Sequence, residues 1–231
     1  MTESSNYDLA ARMAELARTA AAPRTVNEVL SDVTATAQEL IPGVDTAGVL
    51  MIGKGGKWAS FGGTSDLPHK LDEFQMAHGE GPCAEAALNE VIVRTDDFRN
   101  EERWPKYSPE AVRLGVLSGL SFKLYTANRT AGALNLFAFE PQAFDGEAET
   151  IGIVLAAHAA AAILASREGE ELQSALSTRD RIGQAKGIIM ERYAVDDMRA
   201  FEMLRKLSQD SNTKLVDVAM RVIETRGDGN R

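Results

Sequence analysis

Apolar positions along this chain change rhythm twice. Leu9, Met13 and Leu16 recur at helical spacing and stop before Pro23, and Val26, Val29, Leu30, Val33, Ala37 and Leu40 repeat that spacing up to Pro42-Gly43. Residues three and four apart share one helix face, so two amphipathic helices are predicted. The pattern then shortens into apolar, β-prone runs bounded by turn residues. These are Val44 to Ile52, Lys57 to Phe61 after Gly53-Lys54-Gly55-Gly56, Val91 to Arg94, Ser118 to Thr126, and Ala131 to Phe139. Five strands follow from this. Leu67 to Met76, Pro82 to Leu88 and Pro109 to Leu114 read as short helices between them. Tight connections join the first two strands and the last two, which predicts antiparallel pairing there.

After Phe144-Asp145-Gly146 the alternation ends and helical spacing continues to Thr225. Asp145 suits the start of a helix whose apolar positions run from Ile151 through Ala-rich turns to Leu164, then Leu172, Ala175, Leu176, Ile182, Ala185 and Ile189. The spacing fits one long helix or two with a break near Glu168 to Glu171. Asp196 and Asp197 suit the start of the next helix, with Ala200, Met203, Leu204 and Leu207 inward. Asn212 or Thr213 starts the last, with Leu215, Val218, Ala219, Val222 and Ile223 on one face. The fold class expected is α+β: an antiparallel sheet flanked by helices over residues 1–165, then an all-α bundle over 166–231 reached through a long connecting helix. The C-terminal module is small for an independent core, and the long helix carries more apolar surface than one domain covers. A homodimer is therefore expected, with a seam through Leu155, Ala162, Leu172 and Leu176.

The length of 231 residues agrees with two domains. The net charge of −9 argues against a nucleic-acid partner until it is divided by position. Residues 167–231 hold twelve Lys plus Arg and twelve Asp plus Glu, so the whole acidic excess lies N-terminally. A neutral segment still attracts phosphate where its cations share a face. The single cysteine, Cys83, has no internal disulfide partner, as expected in a reducing compartment. The first residues show no basic stretch followed by an apolar run. The run Ile151 to Leu164 is shorter than the roughly 20 residues that a bilayer core needs. A cytoplasmic protein with no membrane partner is the expectation.

Enzyme signatures are not found: no Walker or dinucleotide glycine pattern, no paired histidines at metal spacing, no Cys-x-x-Cys. His78 and Cys83 lie close enough to share a metal or haem, but a lone cysteine opening a helix after Gly-Pro reads first as a small buried residue. Glu80, Glu85, Asp96 and Asp97 read as solvated carboxylates. The C-terminal cations carry more. Arg179 and Lys186, seven apart, point within about 20° of each other on a helix, with Gly183 between them. Arg205, Lys206 and Lys214 flank the next turn, with Ser208, Asn212 and Thr213 as neutral hydrogen-bonding groups, a mixture suited to phosphates and loop bases. The same residues also serve to complement a helix C-terminus or to pair along a helix, and spacing leaves both readings open.

The run Ala175-Leu-Ser-Thr-Arg-Asp-Arg-Ile-Gly-Gln-Ala-Lys-Gly-Ile-Ile-Met190, followed by Ala200-Phe201, Leu204-Arg205, Ser208 and Asn212-Thr-Lys-Leu-Val-Asp-Val-Ala219, resembles the ANTAR domain of bacterial antitermination regulators. The resemblance implies a dimer binding tandem stem-loops of nascent RNA. It places Arg179, Lys186, Arg205, Ser208, Asn212 and Lys214 as candidate RNA-binding residues. Gly79-Glu-Gly-Pro-Cys-Ala-Glu-Ala86, Arg103-Trp-Pro105, Gly115-Val-Leu-Ser118 and Gly132-Ala-Leu-Asn-Leu-Phe137 before Pro141-Gln-Ala-Phe-Asp145 resemble a GAF domain. That implies a sensor with a small-molecule cavity, for which Phe74, Met76, Trp104 and Phe122 are the candidate lining. The Asn-Lys-Phe-Asp-Glu run of cyclic-nucleotide binders is not found, and one cysteine does not support the multi-cysteine sulfoxide-reducing type, so the cofactor or ligand stays unknown. The alternative is a small-molecule or redox sensor whose C-terminal helices bind a protein.

Overall fold

The computed structural model describes residues 25–53, 57–88, 90–125 and 131–225, together with Ala11, Arg12, Ala14, Glu15 and Arg18. The helix expected through Leu9, Met13 and Leu16 rests on residues outside that set. The chain divides into two compact units, Met1–Arg167 and Glu168–Arg231.

In the first unit, helix α1 (Val26–Leu40) begins at a reciprocal cap. Thr25 Oγ1 accepts from the Glu28 amide at 3.3 Å and the Glu28 carboxylate accepts from the Thr25 amide at 2.8 Å, so two amides that helix geometry leaves unpaired are satisfied. Five strands follow: β1 (Thr46–Ile52), β2 (Trp58–Phe61), β3 (Ile92–Thr95), β4 (Ser118–Tyr125) and β5 (Ala131–Ala138). They form one antiparallel sheet in the order β2-β1-β5-β4-β3. Helices α2 (Leu67–His78), α3 (Pro82–Leu88) and α4 (Tyr107–Arg113) lie between strands in sequence. Gly79 ends α2 with φ 68, a left-handed conformation that glycine adopts without steric cost.

Because successive strand residues point to opposite faces, the sheet separates two cores. One face presents Val49, Met51, Leu120, Phe122, Leu134 and Leu136 to α1 and to the first part of α5 (Gly146–Tyr193). There Leu30, Val33, Ala37, Ile151, Leu155 and Ile163 complete the layer. The other face presents Leu50, Val93, Ala133 and Phe137 to Leu71, Cys83, Tyr107 and Ala111 of α2, α3 and α4.

Helix α5 runs without a break from Gly146 to Tyr193, so the alternative with an interruption near Glu168 does not hold. Its apolar stretch is also longer than the sequence pattern suggests. Gly146–Ser166 is long and apolar enough by composition to cross a membrane, but half of that stretch is buried within the folded protein. Its inward residues are used by the sheet core, which is how a core helix of a folded domain passes the same test. Leu155 and Ala162, expected on a dimer seam, are buried, and Leu155 packs within the sheet core. Ile153, Ala157 and Ala161 instead make the exposed apolar line on this part of the helix.

In the second unit the end of α5, α6 (Asp197–Asp210) and α7 (Leu215–Glu224) enclose a small core of Ala185, Ile189, Ala200, Leu204, Val218 and Ala219. Asp196 caps α6, accepting from the Arg199 amide at 2.8 Å. At the far end Asn212 has φ 47, and Ser208 Oγ donates to the Thr213 carbonyl at 2.6 Å, which closes the turn into α7.

Candidate functional site

Two places in the chain concentrate chemistry, one in each unit. In the second unit Arg179, Gly183 and Lys186 follow one another on the same face of α5, and with Phe201 of α6 they line an open groove of about 1040 Å³. Arg179 is exposed, with no ion pair or hydrogen bond among the described residues. Lys186 is more confined: its side chain is 23% exposed and Nζ lies 2.5 Å from Asp197 Oδ1 at the start of α6. The expected open cationic strip is thus half tethered. Arg205 lies one turn along α6 from Phe201, on the same face and exposed, whereas Ser208, Asn212 and Lys214 do not line this groove. Ser208 and Asn212 are committed to the α6–α7 turn. Lys214 is exposed at the N-cap of α7.

A second groove of about 330 Å³ is more apolar, lined by Ile188, Tyr193, Met203, Leu207 and Val222, with Arg192 and Lys206 at its edge.

In the first unit the sheet face toward α2, α3 and α4 holds a buried polar cluster that sequence reasoning missed. Asp72 on α2 accepts from the Ser60 hydroxyl and, at 3.4 Å, from the Gln75 amide. Burial pushes its carboxyl up to about 7, although the Ser60 hydrogen bond and His69 oppose the shift. Gln75 Oε1 in turn accepts from the backbone amide of Cys83 at 2.9 Å, fixing the start of α3. Ser121 donates to Asn135 Oδ1 at 2.8 Å across β4 and β5. Burial, reinforced by Asp72, pushes the Cys83 thiol well above its ordinary value, so it stays a neutral thiol. The Tyr107 hydroxyl is buried without a hydrogen-bond partner among the described residues, and its ring meets Phe98 and Trp104 edge-on, while those two are tilted to each other, with centroids 5.9 to 6.4 Å apart.

The four expected lining residues do not share one space. Trp104 is buried in this aromatic cluster, with Nε1 donating to Glu85 at 3.1 Å. Phe74 packs at its edge under Arg113, and Met76 is at the surface. Phe122 is on the other side of the sheet, against Gly152 of α5. The register of β4 fixes that side, and Phe122 is removed from the proposed lining.

A GAF-domain family model matches residues 23–164, more than half of the chain, and an ANTAR-domain model matches residues 170–223. The chain belongs to the GAF family and carries a C-terminal ANTAR domain. GAF marks a sensor domain, and ANTAR marks an RNA-binding antitermination regulator. No curated protein matches this GAF–ANTAR chain in sequence. Among solved structures, the GAF domain of an Acinetobacter phosphoenolpyruvate-protein phosphotransferase is similar with a TM-score of 0.54 and 16% identity over 73% of this chain and 97% of that one. A GAF3 domain of Synechocystis sp. in its photoproduct state gives 0.53 and 10% over 64% and 99%. A free methionine-R-sulfoxide reductase of Neisseria meningitidis, in complex with its substrate, gives 0.53 and 14% over 73% and 95%. At these identities the likeness shows the GAF fold alone. The groove of Arg179, Lys186 and Phe201 is formed by residues within the ANTAR match.

One signal of the buried polar cluster was present in the sequence. In Gly132-Ala-Leu-Asn-Leu-Phe137, alternation places Asn135 on the same face as Ala133 and Phe137, a polar residue at an inward strand position.

Proposed function

We propose that this GAF–ANTAR protein binds tandem stem-loops in nascent transcripts and disfavours the competing terminator, under the control of a signal received by its GAF unit. RNA is held by a homodimer, and the signal changes the pairing or exposure of the ANTAR units. The observation that supports RNA as the partner is the open groove flanked by Arg179 and Lys186 within the ANTAR match. A cationic face on a segment of zero net charge gives local attraction for phosphate without non-specific basicity. The sensing half of the reading draws on the α2–α4 side of the sheet. There the Tyr107 hydroxyl, buried without a hydrogen-bond partner among the described residues and within electrostatic reach of Asp72 and Cys83, offers a small molecule a polar anchor. The protein is read as a regulator acting in the cytoplasm, not as an enzyme, and its one thiol is buried and neutral.

The test is binding of full-length protein to a tandem stem-loop RNA across a salt series. Arg179→Gln with Lys186→Gln should weaken binding and flatten the salt slope by about one unit for each phosphate contact removed, with the fold retained. Unchanged affinity and slope would remove both residues from the RNA site. The apolar groove at Ile188, Met203 and Leu207 supports a second reading, a protein helix docked on the C-terminal unit. Such a contact is nearly insensitive to salt, so the same series separates the two.

A further inference from the structure

We propose that Phe201 is a stacking platform for an unpaired base of the RNA loop, with the base lying over Gly183 between Arg179 and Lys186. The inference rests on the RNA reading above and adds to it a residue and a mode of recognition. Phe201 follows the buried Ala200 on α6, yet its own side of the helix leaves it 39% exposed, and it forms a wall of the groove. Gly183 lines the same groove, and a Cβ placed there would meet nothing within 4 Å. At Gly183 the groove therefore exposes helix backbone with space above it for a flat group. Thr178 and Gln184 add neutral hydrogen-bonding groups to the same lining. The groove's volume of about 1040 Å³ reaches the upper range of small-ligand sites, about 300 to 1,000 Å³, so it admits a nucleotide.

The chemistry favours a nucleobase over a protein side chain. A helix docked in a groove needs several apolar anchors at helical spacing, whereas here one exposed aromatic ring shares a groove with Arg179 and Lys186 and with a single carboxylate, Asp180. An aromatic face beside cations is the arrangement by which proteins hold unstacked bases, the ring taking the base and the cations, here an Arg179 unpaired among the described residues and a Lys186 that exchanges Asp197 for RNA, the neighbouring phosphates. Bases within an A-form stem are already stacked and paired, so the occupant is a base of the loop.

The experiment measures affinity of full-length protein for a tandem stem-loop RNA and for the same stems closed by a flexible non-nucleotide linker. Phe201→Ala should weaken binding to the natural RNA by about five- to a hundredfold, the range of one lost base stack, with the salt slope unchanged. Phe201→Tyr should restore it. Gly183→Leu places a side chain in open space and improves helix propensity, so the protein should melt no lower than the wild type and bind the loop RNA as poorly as Phe201→Ala. Linker-closed stems should bind weakly and be indifferent to both substitutions. Phe201→Ala and Gly183→Leu binding like the wild type, while Arg179→Gln with Lys186→Gln loses affinity, overturns the stacking proposal and leaves the RNA reading standing. Linker-closed stems binding as tightly as natural loops do overturns it equally. Wild-type protein that binds no stem-loop RNA sinks both.

Discussion

Asp72→Asn should alter how the stability of the GAF unit depends on pH. The carboxyl is buried on α2 and is pushed up from near 3.8 to about 7, with burial as the main cause. Folded and unfolded forms therefore differ in proton affinity by about three units, and each unit corresponds to about 1.4 kcal/mol. The sign follows from linkage: between those two values the folded form holds more protons, so the Asp72 contribution is fully present below pH 3.8, declines as pH rises and is exhausted above about 7. The full difference is an upper limit of about 4 kcal/mol. Asparagine keeps the size and still meets Ser60 and Gln75, but carries no charge to desolvate. The variant should thus gain on the wild type as pH rises from 5 to 8 and level off beyond. Both tryptophans, Trp58 and Trp104, lie in the first unit, so urea unfolding followed by tryptophan fluorescence reports that unit alone. Parallel stability profiles for the two proteins from pH 5 to 8 would refute the desolvation argument.

Other outcomes follow from particular contacts. Asp197→Asn releases Lys186 from its 2.5 Å ion pair and should raise RNA affinity and steepen the salt slope, with a stability loss below about 1 kcal/mol; unchanged binding would show that the pair does not restrain Lys186. Gly152→Ala would drive a methyl group into the buried Phe122 ring and should lower stability by about 1–3 kcal/mol, read from the same fluorescence transition. Tyr107→Phe removes an unpartnered buried hydroxyl and should leave the unfolding midpoint unchanged or higher in the absence of ligand, and a clear drop would mean that the hydroxyl is satisfied. Ile153→Glu with Ala161→Glu, on the exposed line of α5, should convert a homodimer to monomers in sedimentation; wild-type protein already monomeric at micromolar concentration would refute the seam.

The periodic elements were legible because their signals are local. Val29, Leu30, Val33 and Ala37 form the buried stripe of α1, as their spacing requires, and the five strands lie within a few residues of the apolar runs that predict them. Helix α4 begins at Tyr107, ahead of the predicted Pro109, because a proline in the first turn forfeits no helical hydrogen bond. Phe122 falls across the sheet from its expected cavity because alternation gives relative faces within a strand, while the absolute side depends on register across strands. The seven-residue spacing of Arg179 and Lys186 was readable along one helix. The restraint on Lys186 was not, since Asp197 belongs to another helix and meets it only after packing. For the same reason nothing in the sequence joined Phe201 to Gly183.

The order of the sheet bears on how this protein comes off the ribosome. The first strand β1 takes the last, the central strand β5, as a neighbour, so Thr46 waits for Phe137 and Ile52 for Ala131 before their pairing can form. The apolar face so made is covered by α1 alone until Ile151, Leu155 and Ile163 of α5 have also been synthesised. Contacts this distant in sequence close slowly, and the incomplete sheet presents bare strand edges meanwhile. The C-terminal unit has the opposite character, a tight α6–α7 hairpin closed by neighbours in sequence. Chains stopped between Ala138 and Ile163 should therefore aggregate or engage chaperones, whereas the helical hairpin should fold within moments of leaving the exit tunnel.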